Sequence, residues 1–261
     1  MTLLPPLQVA IIQTSLAWEN PSANRIQLKK KIEAITAPYQ LIVLPEMFTT
    51  GFTMNVEAVA ERMNGETISW MKDIAVNTNA AIMGSLIIKE DSNYYNRLVF
   101  ITAEGAVQHY DKRHLFTLAG EEKVFTAGND KLIIEYNGWR ICPLICYDLR
   151  FPVWARNTED YDVLIYVANW PQPRIKAWDA LLQARAIENI TYCIGVNRVG
   201  LDGNNHNYSG HSAVFNELGD RLDNFIAETE ASQVISLSKE RLLKTRQKLN
   251  FLNDKDQFTL K

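Results

Sequence analysis

Three polar residues lie at positions where strands of the sequence could end. Glu46 follows "LIVLP", Lys112 lies in "HYDKRHLF", and Cys146 follows "PLI". Burial raises the pKa of a carboxylate, which suits a general base near neutral pH. A lysine in a desolvated site can stabilise an oxyanion or lower the pKa of a thiol, and a thiolate is a nucleophile. Together, the three residue types indicate nucleophilic catalysis by a cysteine.

Each of these residues also has an ordinary structural interpretation. Glu46 could emerge into solvent, Lys112 could belong to a charged surface turn, and Cys146 could simply pack in the core. A histidine, His114 or His211, could also replace the glutamate as the base, because such pairs are set by distance in space. The three residues are therefore more informative as a set than any one alone.

The segment "PLICYDLRFP" gives Cys146 a distinctive setting, because the apolar run before the cysteine ends at it and polar residues follow. Functional residues collect at the carboxyl ends of strands. If the chain turns here, the backbone N–H of Tyr147 becomes a second donor to an oxyanion. Cys142 and Cys193 lie inside apolar runs and are predicted to be core residues.

These residues depend for their positions on a series of predicted strands and helices. Runs rich in Val and Ile predict strands at 7–13, 40–46, 80–88, 97–102, 139–148, 162–169, 191–199, 211–216 and 232–238. Apolar residues at helical spacing predict helices at 20–35, 65–79, 174–190 and 239–248. The order of these elements predicts an α/β layered fold with a mostly β core and helices outside.

Two of the helices carry specific expectations about their faces. In the helix at 174–190, Ile175, Trp178, Leu182 and Ile187 are expected on the buried side. The helix at 239–248 is basic, and its charges are interpreted as a solvated face.

Composition and charge restrict the class of protein. The 261 residues contain no linker-like, repetitive or low-complexity segment, which favours one domain over 1–261, and the net charge of −3 gives no reason to expect a nucleic-acid partner. The first residues lack a basic region, and no run reaches the roughly 18 apolar residues of a membrane span, so neither a signal peptide nor a membrane partner is expected. Three cysteines, an odd number, argue against a disulfide framework and favour a cytoplasmic location.

Three blocks of the sequence resemble the signature of the carbon–nitrogen hydrolase (nitrilase) superfamily. They are "LPEMF" at 44–48, "DKRHLF" at 111–116 and "CYDLRFP" at 146–152, in the order Glu, Lys, Cys. The resemblance extends from residue 7 to residue 237. It implies a four-layer α-β-β-α sandwich of the nitrilase type, usually assembled as a homodimer through its helices.

The resemblance also implies roles for individual residues. Glu46 would be the general base, Lys112 the stabiliser of the oxyanion, and Cys146 the nucleophile. Glu121 in "GEEKVFTAGN" matches a second, supporting glutamate of the superfamily, and the adjacent Glu122 is the alternative.

Residues of the substrate pocket follow from the same resemblance. Phe116, Asn169 and Trp170 would line it. A substrate carboxylate would need a cation, for which Arg174 and Arg150 are candidates. For Arg150, a structural salt bridge to Asp148 is the competing interpretation.

Within the superfamily, "CYDLRFP", "DKRHLF" and "NWP" are most similar to the ω-amidases, which hydrolyse the terminal amide of 2-oxoglutaramate or 2-oxosuccinamate. The expected reaction passes through a cysteine thioester and releases ammonia from a small-molecule amide substrate, with neither a metal nor an organic cofactor. Two alternatives remain: another amidase of the superfamily, such as one acting on deaminated glutathione, and a non-catalytic binding module on the same fold.

Overall fold

Two β-sheets lie face to face between layers of helices in the computed structural model, which describes residues 5–260. In spatial order, the first sheet contains β13 (Ala231–Leu237), β1 (Leu7–Gln13), β2 (Leu41–Val43), β3 (Ala81–Glu90), β4 (Asn93–Ile101) and β5 (Val107–Asp111). The second sheet contains β12 (Ala213–Phe215), β9 (Tyr192–Asn197), β8 (Val163–Ala168), β7 (Trp139–Ile145) and β6 (Ile134–Tyr136). A separate hairpin is formed by β10 (Val199–Leu201) and β11 (Asn207–Ser209).

Six α-helices accompany the sheets within residues 5–260. They are α1 (Pro21–Glu33), α2 (Val56–Val59), α3 (Glu66–Thr78), α4 (Pro152–Ala155), α5 (Ile175–Asn189) and α6 (Lys239–Leu249). Apolar residues of α1 and α3 pack on the first sheet, whereas those of α5 pack on the second. The predicted four-layer α-β-β-α arrangement is therefore confirmed.

The residues of β1 show why the predicted strands lack polar alternation. Val9 and Ile11 face the second sheet, whereas Ala10 and Ile12 face α1 and α3, and all four are fully buried. A strand covered on both faces has no solvent side, so both sets of alternating positions are apolar.

Strand direction brings the ends of β2, β5, β7 and β8 to one region. β2 runs parallel to β3, and β7 runs parallel to β8. β5 has the same direction as β3, because β4 is antiparallel to both of them. The carboxyl ends of these strands are where sites form in sheets of this kind.

The predicted buried face of α5 is wrong at Ile187, which is 45% exposed. Trp178 and Leu182 are fully buried, and Gly195 of β9 fixes their contact, since a Cβ at that glycine would lie 2.4 Å from Leu182 Cδ1. Ile187 is nine residues after Trp178, which at 3.6 residues per turn places it on the opposite side of the helix. Ala186 takes the buried position instead.

The basic helix α6 is also more than a solvated face. Lys239 and Arg246 both form ion pairs with Asp162, which is 2% exposed, and Arg246 Nη2 donates to the carbonyl of Tyr161 at 2.6 Å. The helix is thus attached to the start of β8 by two of its cations.

Some elements were not predicted. The strands β5 and β6 lie at the edges of their sheets and are short, and Tyr110 is the one buried residue of β5. Within residues 5–260, no helix is long and apolar enough to cross a membrane. Residues 1–4, part of the segment judged not to be a signal peptide, lie outside the described residues.

Candidate active site

Four polar residues follow directly or closely after strands, two from each sheet. Glu46 comes three residues after β2, and Lys112 comes immediately after β5. From the second sheet, Cys146 follows β7 and Asn169 follows β8 without a gap. The predicted meeting of Glu46, Lys112 and Cys146 at strand ends is what the structure shows.

The backbone turns sharply beside two of these residues. Cys146 has a φ of +44° and begins a 3₁₀ turn, Cys146–Arg150, whereas Met47, next to Glu46, has a φ of +42°. Few residues other than glycine adopt this left-handed region, and such strain gathers at functional sites. The turn at Met47 is secured by its N–H, which donates to Ser85 Oγ at 2.8 Å.

The ammonium of Lys112 lies between two buried carboxylates. Its Nζ is 3.0 Å from Glu46 Oε1, and 3.0 Å and 2.9 Å from the two oxygens of Glu121. Lys112 is 1% exposed and both glutamates are fully buried, so the interpretation as a surface turn is wrong. Burial alone would lower the pKa of Lys112, but the charges of Glu121 and Glu46 outweigh it and raise the pKa, which keeps the ammonium charged.

The carboxylate of Glu46 is held from both sheets. Asn96 Nδ2 of β4 donates to its Oε1 at 2.8 Å, and the backbone N–H of Asn169 donates to its Oε2 at 2.8 Å. Asn169 Nδ2 also donates to the backbone carbonyl of Glu46 at 2.6 Å. Glu46 does not emerge into solvent, and its orientation is fixed.

Glu121, and not Glu122, is the glutamate that reaches this cluster. Besides Lys112, its carboxylate accepts the backbone N–H of Phe116 at 2.5 Å and Asn96 Nδ2 at 3.3 Å, whereas Glu122 is exposed. Burial raises the pKa of Glu121, and Lys112 opposes this rise. Its contacts make it a support for the ammonium.

Cys146 is partly exposed, and its thiol is close enough to the carboxylate of Glu46 for that charge to act on its pKa. Burial, reinforced by the negative charge of Glu46, raises the pKa of Cys146 well above its usual value, and Lys112 opposes this only in part. The sulfur is therefore a neutral thiol at rest, beside a carboxylate able to accept its proton. Cys142 and Cys193 are fully buried, as predicted.

The two histidines considered as bases are bonded elsewhere. His114 Nδ1 lies 2.7 Å from Asp148 Oδ1, and His211 Nδ1 lies 3.1 Å from both oxygens of Asp179. The group against the thiol is Glu46. The geometry thus favours a carboxylate as the base.

Arg150 does not form the salt bridge to Asp148 that was its competing interpretation. Asp148 is fully buried and accepts from Tyr110 Oη at 2.8 Å and from the N–H of Ile145 at 3.0 Å. The guanidinium of Arg150 lies over the ring of Trp170, with its carbon 4.8 Å from the ring centre. It therefore contributes to the wall of the cavity described next.

A cavity of about 650 Å³ opens onto Cys146. Phe116, Asn169, Trp170 and Arg174 line it, as expected from the sequence, and Tyr147, the predicted oxyanion donor, lines it as well. Lys112 and Arg150 also reach its surface, together with the aromatic side chains Trp18, Phe52 and Tyr208. The site is thus an apolar pocket with a reactive cluster at one end and two arginines in its wall.

A family model described as carbon-nitrogen hydrolase matches residues 8–246. The chain belongs to the carbon–nitrogen hydrolase family. This assignment agrees with the three sequence blocks and confirms both the superfamily and an enzyme acting on carbon–nitrogen bonds.

Relatives of this carbon–nitrogen hydrolase include proteins that are named as amidases. An omega-amidase of Escherichia coli strain K12 is 44% identical over 98% of this chain and 100% of its own length. A 2-oxoglutaramate amidase of Bacillus subtilis strain 168 is 33% identical over 81% of this chain and 83% of its own.

Solved structures agree with the fold of the hydrolase. A CN-hydrolase superfamily protein of Xanthomonas campestris, which carries an arsenic adduct in its active site, superposes with a TM-score of 0.95. It is 40% identical, and the match covers 98% of this chain and 99% of that one. An amidase of Nesterenkonia sp., at 21% identity, a TM-score of 0.82 and coverage of 96% and 98%, supports the fold alone.

Sequence reasoning about the hydrolase missed several residues of the site. Asn96 contacts both glutamates from the middle of β4, where a single asparagine gives no recognisable signal. Trp18 reaches the cavity from a loop and Tyr208 from β11, both distant in sequence from the three blocks, and no motif marks them. Asp148 was considered only as a partner for Arg150.

Proposed function

We propose that this hydrolase is an ω-amidase that removes the terminal amide of a small 2-oxo acid amide, such as 2-oxoglutaramate or 2-oxosuccinamate. The observation that carries the proposal is that Arg150 and Arg174 share one cavity with Cys146. Within residues 5–260, neither guanidinium is paired with a carboxylate; Arg150 lies over Trp170 and Arg174 over Phe116. An ω-amide has its carboxylate at the end opposite the scissile bond, where these cations would bind it.

In the proposed first half of the reaction, Glu46 takes the thiol proton as the sulfur of Cys146 attacks the amide carbon. The resulting oxyanion is stabilised by the ammonium of Lys112 and the backbone N–H of Tyr147. Protonated Glu46 then gives its proton to the amide nitrogen. The carbon–nitrogen bond breaks, ammonia leaves, and a thioester to Cys146 remains.

In the second half, Glu46 acts again as the base and activates a water molecule. The water attacks the thioester carbon, the carbon–sulfur bond breaks, and the proton returns to the sulfur of Cys146. Glu121 keeps the ammonium of Lys112 in place through both halves. The raised pKa of Cys146 supports proton transfer during attack over a standing thiolate.

A second candidate is an amidase for a larger substrate, such as deaminated glutathione. The cavity of about 650 Å³ favours it, because a small oxo acid amide fills only part of that space. A binding module without catalysis gains no support from a site that unites a base, a cation and a thiol.

We further propose that the chain forms one domain, that it assembles as a homodimer, and that it works in the cytoplasm. Exposed apolar side chains on and after α6, Leu243, Leu249 and Phe251, support an interface on the helical side. Three free cysteines support a reducing compartment.

The test is ammonia release from 2-oxoglutaramate, with deaminated glutathione, glutamine and a simple nitrile as comparison substrates. We expect the wild type to prefer the oxo acid amide and Cys146→Ala to be inactive. Cys142→Ala is a matched control, because this buried cysteine lies in β7, the strand that Cys146 follows, and should leave turnover intact. Preference for deaminated glutathione would select the second candidate, and activity in Cys146→Ala would contradict the mechanism.

A further inference from the structure

The carboxylate of Asp148 accepts hydrogen bonds on both of its oxygens. Oδ2 accepts from Tyr110 Oη at 2.8 Å and from the N–H of Ile145 at 3.0 Å. Oδ1 accepts from the N–H of His114 at 3.0 Å and lies 2.7 Å from His114 Nδ1. Asp148 is fully buried, and within residues 5–260 its one ionic contact is His114.

These donors come from the two halves of the site. Tyr110 lies in β5 and His114 comes two residues after Lys112, so both belong to the segment that carries the ammonium. Ile145 ends β7 directly before Cys146, and Asp148 itself lies in the turn that begins at the cysteine. Asp148 therefore joins a segment from the first sheet to the nucleophile turn from the second.

The connection is rigid because its donors are themselves held. The imidazole of His114 stacks on Phe151 with ring centres 3.7 Å apart and planes 5° from parallel. Trp154 Nε1 donates to Tyr110 Oη at 3.1 Å. A buried carboxylate costs free energy of desolvation, and such an arrangement is expected where geometry has to be fixed.

We propose that Asp148 and His114 are positioning residues that set the separation between the Lys112 ammonium and the Cys146 thiol. Neither side chain lines the substrate cavity, so both act through the groups that they hold. This proposal rests on the proposed function in one respect, because one of its two tests measures turnover of the proposed substrate. A displacement of about 1 Å at a reacting group can cost about 100-fold in rate.

Two variants test this. His114→Phe keeps a ring to stack on Phe151 and removes the donor at Nδ1, and Asp148→Asn keeps the shape and removes the charge. We expect kcat on 2-oxoglutaramate to fall about 10- to 100-fold while KM changes less than about threefold. Alkylation of Cys146 by iodoacetamide at pH 7 should also slow, because the cation that favours the thiolate is no longer held beside it.

Asp162→Asn is the matched control. Asp162 is a buried aspartate that holds Lys239 and Arg246 at the other end of β8. We expect it to lower Tm while kcat per folded enzyme and the alkylation rate stay at the wild-type values.

The outcomes decide the proposal as follows. If His114→Phe has a lower Tm but unchanged kcat and alkylation rate, as expected of the control, the proposal is wrong. His114→Phe is sufficient for this decision if Asp148→Asn does not fold. If the wild type fails to turn over 2-oxoglutaramate, the proposed function is wrong, and alkylation alone decides the positioning role. Slower alkylation then supports that role, and an unchanged rate overturns it.

Discussion

The backbone N–H of Asn169 donates to Oε2 of Glu46 at 2.8 Å, although the two residues come from different sheets. Lys112 and Asn96 occupy Oε1 of the same carboxylate. The carboxylate thus has a fixed orientation beside Cys146, as a base must have if it is to remove a proton and return it.

Replacing Glu46 should have opposite effects on turnover and on thiol reactivity. Glu46→Gln keeps the shape but cannot accept a proton, so amide hydrolysis should fall at least about 100-fold. The charge of Glu46 raises the pKa of Cys146, so its removal should lower that pKa and increase the thiolate fraction at pH 7. Iodoacetamide alkylation followed from pH 6 to pH 10 should show a profile displaced to lower pH. Superimposable profiles for the variant and the wild type would contradict this account of the thiol.

The adjacent residues Glu121 and Glu122 allow a glutamate with a proposed role in the site to be compared with an exposed one. Glu121→Gln weakens the hold on Lys112 and should lower kcat about 10- to 100-fold, because the oxyanion loses a well-placed cation. Glu122→Gln changes an exposed side chain and should leave kcat within about twofold. Steady-state kinetics on both variants make the comparison, and equal effects would remove the assigned support role from Glu121.

The two arginines of the cavity should discriminate between charged and neutral substrates. Arg150→Gln and Arg174→Gln should each lower kcat/KM for 2-oxoglutaramate about 10- to 100-fold, since a charged hydrogen bond contributes about 1.5–3 kcal/mol. A neutral aliphatic amide, which lacks the carboxylate, should be affected far less.

Arg113→Gln is the control for these variants, because Arg113 also lies over an aromatic ring, that of Trp154 at 4.4 Å, but outside the cavity. If all three variants lower activity equally on both substrates, the arginines do not bind the carboxylate.

The stability of the fold should depend on pH through Glu230, which precedes β13. Its carboxylate accepts from Lys31 Nζ at 2.8 Å and from Ser15 Oγ at 2.6 Å. Burial alone would raise the pKa of Glu230, but these hydrogen bonds lower it from 4.5 to about 2. A lowered pKa stabilises the folded state above the unfolded value, and the contribution disappears as the pH falls from 4.5 toward 2.

Glu230→Gln should therefore reduce the free energy of unfolding by about 1 kcal/mol at pH 7, a figure kept small because the side chain is partly solvated. The difference from the wild type should narrow below about pH 4.5, where the wild-type group begins to protonate in the unfolded state. Urea unfolding of both proteins at several pH values measures this difference in the free energy of unfolding. Glu33→Gln, in an exposed pair with Lys29, should show almost no effect, and a pH-independent deficit in Glu230→Gln would refute the linkage.

The layered fold could be predicted because strands covered on both faces appear in the sequence as continuous runs of apolar residues. The edge strands β5 and β6 are harder to recognise, because they are short and bury fewer residues. Ile187 was predicted on the wrong side of α5 because it does not share a face with Trp178: at 3.6 residues per turn it lies opposite, and the close contact at Gly195 shows that the Trp178 side faces the sheet. Such contacts between distant segments are absent from local patterns.

In the site, the residues recognised from the sequence are those that end strands and belong to short blocks. Asn96 and Asp148 could not be recognised from the sequence, because they act through hydrogen bonds to residues that are distant along the chain. Arg150 was ambiguous for a related reason: a nearby carboxylate in sequence suggested a pair, whereas the donors of Tyr110 and His114 already occupy Asp148.

Because of the left-handed backbone conformation of Cys146, thermal stability and activity place opposite demands on this residue. A residue with a side chain at a φ of +44° is held in a conformation that costs roughly 1–2 kcal/mol and that glycine adopts freely. Variants selected only for survival at high temperature would therefore be drawn toward Cys146→Gly and would lose the nucleophile. Directed evolution of this enzyme therefore has to select for turnover at every round, because the proposed nucleophile is one of its residues with a left-handed backbone.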